Sequence, residues 1–339
     1  MPMSATPRGI DAHGHGVPAA FLEDVKRTGL GGVGVEVVDG NYVVTLPGQA
    51  PLRPIIPGMT DFEQRLAWLD AENLDHQLVG PWLDVHGQEL PPEPGQEWVR
   101  RLNDALAEAI APGGSRLRAY ATLHLENPTA AGRELERATR ELGMIGCMLP
   151  TSTPTATLHA PAFDALWEVL VDLDVPVMLH PPTVGPASCI PGMQRFGGLY
   201  GRLIDTTMAA AQLLLAGVFD RFPRLRIVLV HGGGFLPYQT GRLANTMRGG
   251  GFGPPLQAAP VEYVKRYFYD TTLMSSQAVA LMADVVGADH VMLGSDYPFS
   301  VGAPPLLQAV NTSGLDAAAV EAIAHGTAAD VFNMERAVR

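Results

Sequence analysis

The sequence predicts an α/β fold, specifically a (β/α)8 TIM barrel, on three observations. Short β-rich apolar runs recur along nearly all of the 339 residues, most are separated by segments with the apolar spacing of amphipathic helices, and eight can be counted. Eight parallel strands is the number that closes such a barrel. The length agrees, because α/β barrels with insertions reach this size as one unit, so residues 1–339 are expected to form a single domain.

The expected strands are residues 10–13, 77–80, 118–122, 145–149, 175–179, 226–230, 268–271 and 291–294. Val175-Pro-Val-Met-Leu179 and Ile227-Val-Leu-Val230 are near-continuous apolar runs, as strands buried on both faces require. Helices are expected over 61–73, 96–111, 128–142, 160–173 and 275–286, with Asp61 and Ser275 supplying side-chain oxygens for N-caps. Residues 33–46 read as a small insertion after the first strand, a β-hairpin closed by Asp39-Gly40. Proline and glycine gather at 47–58, 91–95 and 249–255, which predicts loops or lid elements there.

Composition excludes several function classes. Hydrophobic residues make up 47% and charged residues 17%, which suits a chain with a large buried core. A net charge of -12 with scattered basic residues offers no footprint for nucleic acid or an anionic membrane surface. Cys147 and Cys189 lie far apart, giving neither a disulfide framework nor a thiolate zinc site, and fit a reducing cytosol. The first eight residues carry no basic segment followed by an apolar run, and no stretch approaches a membrane span, so the expected location is cytoplasmic.

Functional side chains of a parallel barrel gather where its strands end, because those ends open onto one face. Strand one ends in Asp11-Ala-His13-Gly-His15, strand five in His180, strand six in His231, and strand eight in Gly294-Ser-Asp296. Alternate residues of a strand project the same way, so His13 and His15 form a chelating pair, with Gly14 and Gly16 leaving room for close approach. His180 and Asp296 complete a set of nitrogen and oxygen donors suited to a divalent metal, Zn2+ first and Mn2+ as an alternative. His231 is left to face the substrate as acid, base or hydrogen-bond donor. Taken singly, each residue has an ordinary reading as a polar strand end, a satisfied core histidine or a turn former; their conjunction at four strand ends does not.

His124 and Trp82 follow strands three and two and are candidates for the same mouth, with packing as the alternative. His76, His86, His159, His290 and His325 read as solvated residues of loops and helix ends. Gly232-Gly-Gly234 has no phosphate-loop companion residues and reads as a flexible turn that lets backbone approach the site.

Five landmarks make the chain resemble a known family. They are Asp11-Ala-His-Gly-His15, Val177-Met-Leu-His-Pro181, Gly217-Val-Phe-Asp-Arg-Phe-Pro-Arg-Leu225, His231-Gly-Gly-Gly234 with Gly241-Arg242, and Leu293-Gly-Ser-Asp-Tyr-Pro-Phe299. Over residues 10–334 the chain is similar to the amidohydrolase superfamily, in the branch of aminocarboxymuconate semialdehyde decarboxylase and the resorcylate-type decarboxylases. The resemblance implies a divalent metal on His13, His15, His180 and Asp296, with His231 as the neighbouring catalytic histidine and Asp296 as a second group able to move a proton. It also implies a homodimer in which Arg242 reaches the partner subunit's site and binds a substrate carboxylate. One departure stands out: where the semialdehyde decarboxylase carries a substrate-binding arginine after the hairpin turn, this chain reads Asn41-Tyr-Val-Val-Thr45. Arg53, in the following loop, is the candidate replacement. The expected activity is nonoxidative decarboxylation of a small unsaturated or aromatic carboxylic acid, with metal-assisted hydrolysis or hydration as the alternative on the same ligands. A barrel that has lost its chemistry and only binds a ligand is the third reading.

Overall fold

The computed structural model describes residues 8–250, 253–299 and 304–334. The termini of the expected 1–339 domain, and residues 251 and 252 of the expected loop 249–255, lie outside the described residues. The strands are β1 (Gly9–Gly16), β2 (Gly34–Val38), β3 (Asn41–Thr45), β4 (Leu74–Pro81), β5 (Leu117–Ala119), β6 (Cys147–Pro150), β7 (Val177–His180), β8 (Ile227–Leu229), β9 (Phe268–Asp270) and β10 (Val291–Met292). All eight runs picked out by apolar patterning are strands, with ends displaced by a few residues.

Two parallel ladders, β1-β4-β5 and β10-β9-β8-β7-β6, make the wall. Backbone hydrogen bonds join their edges at both seams. Ile145 N–H donates to Ala119 O at 3.1 Å and Met148 N–H to Ala121 O at 2.9 Å, while Ala12 N–H donates to Leu293 O at 2.9 Å and His15 N–H to Tyr297 O at 2.7 Å. The circuit is therefore closed and the fold is a (β/α)8 TIM barrel, which leaves the main sheet no open edge. Antiparallel β2 and β3 form the expected hairpin. Its turn residues Asp39 and Gly40 have φ of 49° and 80°, the left-handed pair that a two-residue hairpin turn needs.

Ile10, Leu78, Met148, Met178, Val228 and Met292, one from each of six barrel strands, form an apolar cluster inside the barrel with Tyr120, just past β5, joined by Phe332 from the C-terminal segment. A second cluster packs the hairpin residues Val35 and Val44 on Phe21, Trp98 and Leu102, so the hairpin is anchored to the helices Ala19–Thr28 and Pro92–Ile110. Burying each such side chain contributes roughly 1.5–3 kcal/mol, enough to hold a small hairpin against a large scaffold.

Helices Phe62–Ala71, Pro128–Leu142, Asp164–Leu173 and Ser276–Val286 occupy the expected places. Asp61 accepts from Gln64 N–H at 2.8 Å and Ser275 Oγ from Ala278 N–H at 3.3 Å, the two caps read from the sequence. The loop expected at 91–95 is instead the first turn of Pro92–Ile110. Prolines there sit where an amide hydrogen has no helical partner, so they start the helix rather than break it. Helices Ala19–Thr28 and Arg202–Leu215 were not anticipated.

Candidate functional site

The site begins with an irregularity in β1. Asp11 pairs with Gln77 but Gly14 pairs with Val79, so three steps on β1 match two on β4. Such a bulge re-aims the side chains beyond it. Ile10 and Ala12 pack inside the barrel below the bulge, while His13 and His15 converge above it. The Ala12 carbonyl accepts from the buried Tyr120 hydroxyl at 2.8 Å, which satisfies the displaced backbone.

His13, His15, His180 and Asp296 each offer one ligand atom, and all these atoms lie within 4.8 Å of one another. His13 Nε2 and His15 Nε2 are 3.2 Å apart, and His15 Nε2 is 3.0 Å from Asp296 Oδ1. These separations are close to those of donors sharing an ion at roughly 2.0–2.2 Å. The other edges of the rings prepare them for that task. His13 Nδ1–H donates to Asp270 Oδ2 at 2.6 Å, and His180 Nδ1–H donates to Pro181 O at 2.8 Å. Each Nε2 is left as a lone pair facing the cluster, and the buried His180 Nε2 has no hydrogen-bond partner. An orphaned buried nitrogen is costly in an apolar setting and natural beside a cation. The donor set therefore fits a divalent metal.

Electrostatics agree. Burial depresses the His15 pKa to about 4 and His180 well below the usual histidine value, so both are neutral ligands at pH 7. At His13 burial also opposes the charge, but the Asp270 hydrogen bond and the surrounding carboxylates prevail and raise its pKa. Asp296 is held well below the usual carboxylate range: burial opposes this, and the hydrogen bonds and charges of the surrounding histidines overcome it.

His231 follows β8 and is buried, its ring centroid 5.1 Å from that of His180 and 5.6 Å from that of His13. Its Nε2 lies 3.7 Å from Asp296 Oδ2, beside the oxygen that does not face His15. The glycines after it have φ of 61°, 69° and 64°. A Cβ on them would come within 2.4 Å of Leu273, 2.5 Å of Tyr269 and 2.3 Å of the Leu203 carbonyl. The expected flexible turn is thus a tightly packed one, in which only glycine fits.

Arg242 lies exposed on helix Thr240–Met247. Arg53 does reach the mouth: its guanidinium lies 4.8 Å over Trp82 and 4.9 Å over Phe299, and the Phe299 ring is 5.9 Å from His15. Trp82 is thereby part of the rim. His124 is not, since its Nε2 donates to Leu90 O at 3.0 Å and its ring abuts Gly95. The solvated reading of His86 is also overturned, because it is 1% exposed and donates to Pro81 O at 3.3 Å. His76 lies within β4 rather than in a loop.

Sequence reasoning missed two supporting carboxylates. Asp270, at the end of β9, accepts from His13 through Oδ2 and from Gly232 N–H at 2.9 Å and Thr272 N–H at 3.1 Å through Oδ1. Its signal was available, since Asp270 is the charged end of an apolar strand in a barrel whose other strand ends carry ligands. Asp11 is fully buried and accepts from His13 N–H, Ser295 N–H, Ser295 Oγ–H and Gln77 Nε2–H. Arg65, also fully buried, donates to Gln77 Oε1 at 2.7 Å and to the His15 carbonyl.

The profile of the amidohydrolase family matches residues 10–334. The chain is 25% identical to the 2-amino-3-carboxymuconate-6-semialdehyde decarboxylase of Dictyostelium discoideum over 310 residues, 86% of this chain and 82% of that one. It superposes with a TM-score of 0.83 and 25% identity on the crystal structure of 5-carboxyvanillate decarboxylase from Sphingomonas paucimobilis, covering 97% of this chain and 99% of that one. The dihydroxybenzoic acid decarboxylase of Polaromonas sp. JS666, solved with manganese and 2-nitroresorcinol, shares the fold at a TM-score of 0.78 and 22% identity, covering 98% of each chain. No helix among the described residues is long and apolar enough to cross a membrane.

Proposed function

This chain belongs to the amidohydrolase family, and from that premise we propose that it is a metal-dependent nonoxidative decarboxylase of a small aromatic or unsaturated carboxylic acid. The observation that carries the reading is the convergence of His13, His15, His180 and Asp296 beside an unligated, buried His231. The choice of decarboxylation over hydrolysis or hydration follows the majority of the relatives, which are decarboxylases of such acids, against a hydratase that is also related.

When bound, a divalent ion would polarise the substrate oxygens and stabilise the charge left as CO2 departs. The three histidines and Asp296 would hold it, Asp270 keeps His13 in the ligating tautomer, and Arg53 orients the acid from the rim. His231 Nε2, next to Asp296 Oδ2, passes a proton to the carbon that loses CO2. Three nitrogen donors and one carboxylate favour zinc, with manganese as the competitor. The chain 1–339 acts as one cytoplasmic domain and works as a homodimer, with Arg242 reaching the partner's substrate. Support for the dimer comes from exposed apolar side chains on the segments that follow β7 and β8: Val184 at 79%, Leu199 at 57%, Met208 at 51% and Phe235 at 39%.

The test is direct. Metal-loaded protein is mixed with a panel of hydroxylated benzoic and unsaturated acids while CO2 and ultraviolet absorbance are followed. Release of CO2 with one protonated product per turnover is expected. Substrate consumption without CO2 would replace the decarboxylase with a hydratase or hydrolase.

A further inference from the structure

Beyond His180, residues 181–201 run in short turns, Pro186–Cys189, Met193–Arg195 and Gly197–Gly201, the last continuing into helix Arg202–Leu215. They enclose a cavity of about 260 Å3 lined among others by Pro182, Thr183, Gln194, Gly198, Arg202 and Asp205. Arg202 is a costly residue to keep there. It is partly buried, and desolvation works against its charge; Asp296, Asp84 and Asp205 favour that charge from beyond ion-pair distance, and Arg53 opposes it. Yet its hydrogen bond is to a neutral group, Thr183 Oγ1 at 3.0 Å, and no carboxylate lies within ion-pair distance of it among the described residues. Asp205 is otherwise engaged, since its Oδ1 accepts from Ala187 N–H at 2.8 Å and holds the neighbouring turn. The cavity Arg202 lines is bounded by Pro182 and Thr183, two and three residues after the cluster histidine His180.

We propose that Arg202 is a specificity-determining residue that seats a second carboxylate of the substrate, so that the acid this site takes is a dicarboxylate. An anion in the cavity would give the guanidinium the ion-pair partner it lacks and offset its desolvation. The guanidinium fork suits it, because two parallel N–H donors match a carboxylate and orient it. A residue kept only to pin the loop to Thr183 would carry no such charge. The inference rests on the decarboxylase reading of the adjoining cluster for its chemistry, but its charge preference is measurable by binding alone.

The experiment uses the metal-loaded full chain and titration calorimetry. The probes are benzene-1,3- and benzene-1,4-dicarboxylate, each paired with the carbamoylbenzoate of the same shape and one charge fewer. In the wild type at least one dicarboxylate should bind roughly 10- to 100-fold tighter than its partner, the worth of a charge-assisted pair. Arg202→Met should bring that ratio close to one, and Arg202→Lys should leave it between the two. A ratio near one in the wild type, or no binding of any probe, overturns the proposal without recourse to a variant. So does an Arg202→Met protein in which both members of a pair weaken equally, the mark of a loop-pinning role. CO2 release is followed in parallel on the hydroxylated benzoic and unsaturated acids: a protein that binds the probes with the expected charge preference but releases CO2 from none of those acids would sink the decarboxylase reading and leave the role of Arg202 standing.

Discussion

Asp270→Asn is the sharpest perturbation of the site, because it changes one atom and leaves the shape alone. In the native arrangement Oδ2 accepts from His13 Nδ1 at 2.6 Å, and Oδ1 accepts from two backbone amides, Gly232 N–H at 2.9 Å and Thr272 N–H at 3.1 Å. The carboxylate is fully buried, and although burial works against its charge, the hydrogen bond and charge of His13 hold its pKa below the usual value. An asparagine has one acceptor oxygen for these two tasks. If that oxygen keeps the two amides, its NH2 faces His13 Nδ1, which must then accept, and the imidazole proton moves to Nε2, the atom aimed at the cluster. If it keeps His13, the NH2 meets two amide donors and each is left unsatisfied at about 1–3 kcal/mol. The first arrangement costs less, so metal affinity should fall by about 100-fold, the upper end for loss of a supporting carboxylate. Competition against a chromogenic chelator reads this directly, with circular dichroism to establish that the fold persists. A folded Asp270→Asn protein whose metal affinity stays within about twofold of wild type would refute the tautomer argument.

Other consequences are as readily checked. His13→Ala combined with His15→Ala should remove the metal found in protein purified without chelator, about one ion per chain; full retention would show the site is elsewhere. His231→Ala should keep its metal while turnover falls by roughly 100-fold or more, whereas loss of metal would make His231 a ligand. Arg242→Lys should raise KM because the planar fork is lost, and mixing inactive Arg242→Ala with inactive His231→Ala chains should restore partial activity if Arg242 serves the partner's site. Burial depresses the His86 pKa to about 3, with the His15 charge adding to the effect. The unfolded chain therefore takes up a proton near pH 6.5 that the folded chain refuses, and stability should fall as pH drops from about 6.5 toward 3 at up to roughly 1.4 kcal/mol per unit. His86→Gln should flatten that limb by about one proton, and an unchanged slope would contradict it.

What was legible in the sequence and what was not follow from the range of the interactions. Strands buried on both faces must be apolar along their length, so all eight could be found from local pattern, as could the Asp39-Gly40 hairpin and the Asp61 and Ser275 caps. The cluster of His13, His15, His180 and Asp296 was legible as a candidate because each member lies at or shortly after the end of such a strand. Pro92 and Pro94 misled because proline is punctuation both in loops and at the first turn of a helix, and local sequence does not distinguish the two uses. Helix Ala19–Thr28 carried usable signals that were passed over: Lys26 and Arg27 in its last turn and Gly29 as a left-handed cap. The bulge in β1 and the roles of Asp11, Gln77 and Arg65 depend on pairings across 12 to 284 residues of chain, which no local pattern encodes.

The placement of backbone strain explains why that hidden network exists. Among the non-glycine residues with positive φ, Asp39 lies in the hairpin turn and Asp174 caps a helix, ordinary places for such a conformation. His231 at 56° and Asp296 at 59° have no such excuse, and each conformation costs of order 1–3 kcal/mol. Each is held by a buried carboxylate. Asp270 takes the amide of Gly232, the residue after His231, and Asp11 takes the amide and hydroxyl of Ser295, the residue before Asp296. The same two carboxylates bind His13, one at its ring and one at its backbone amide. His13 is thus the common partner of the two strained loops. A shift of either loop must disturb the histidine that both carboxylates hold, so the metal ligands and His231 keep their mutual geometry as one unit, as a site that must present charge without reorganising requires.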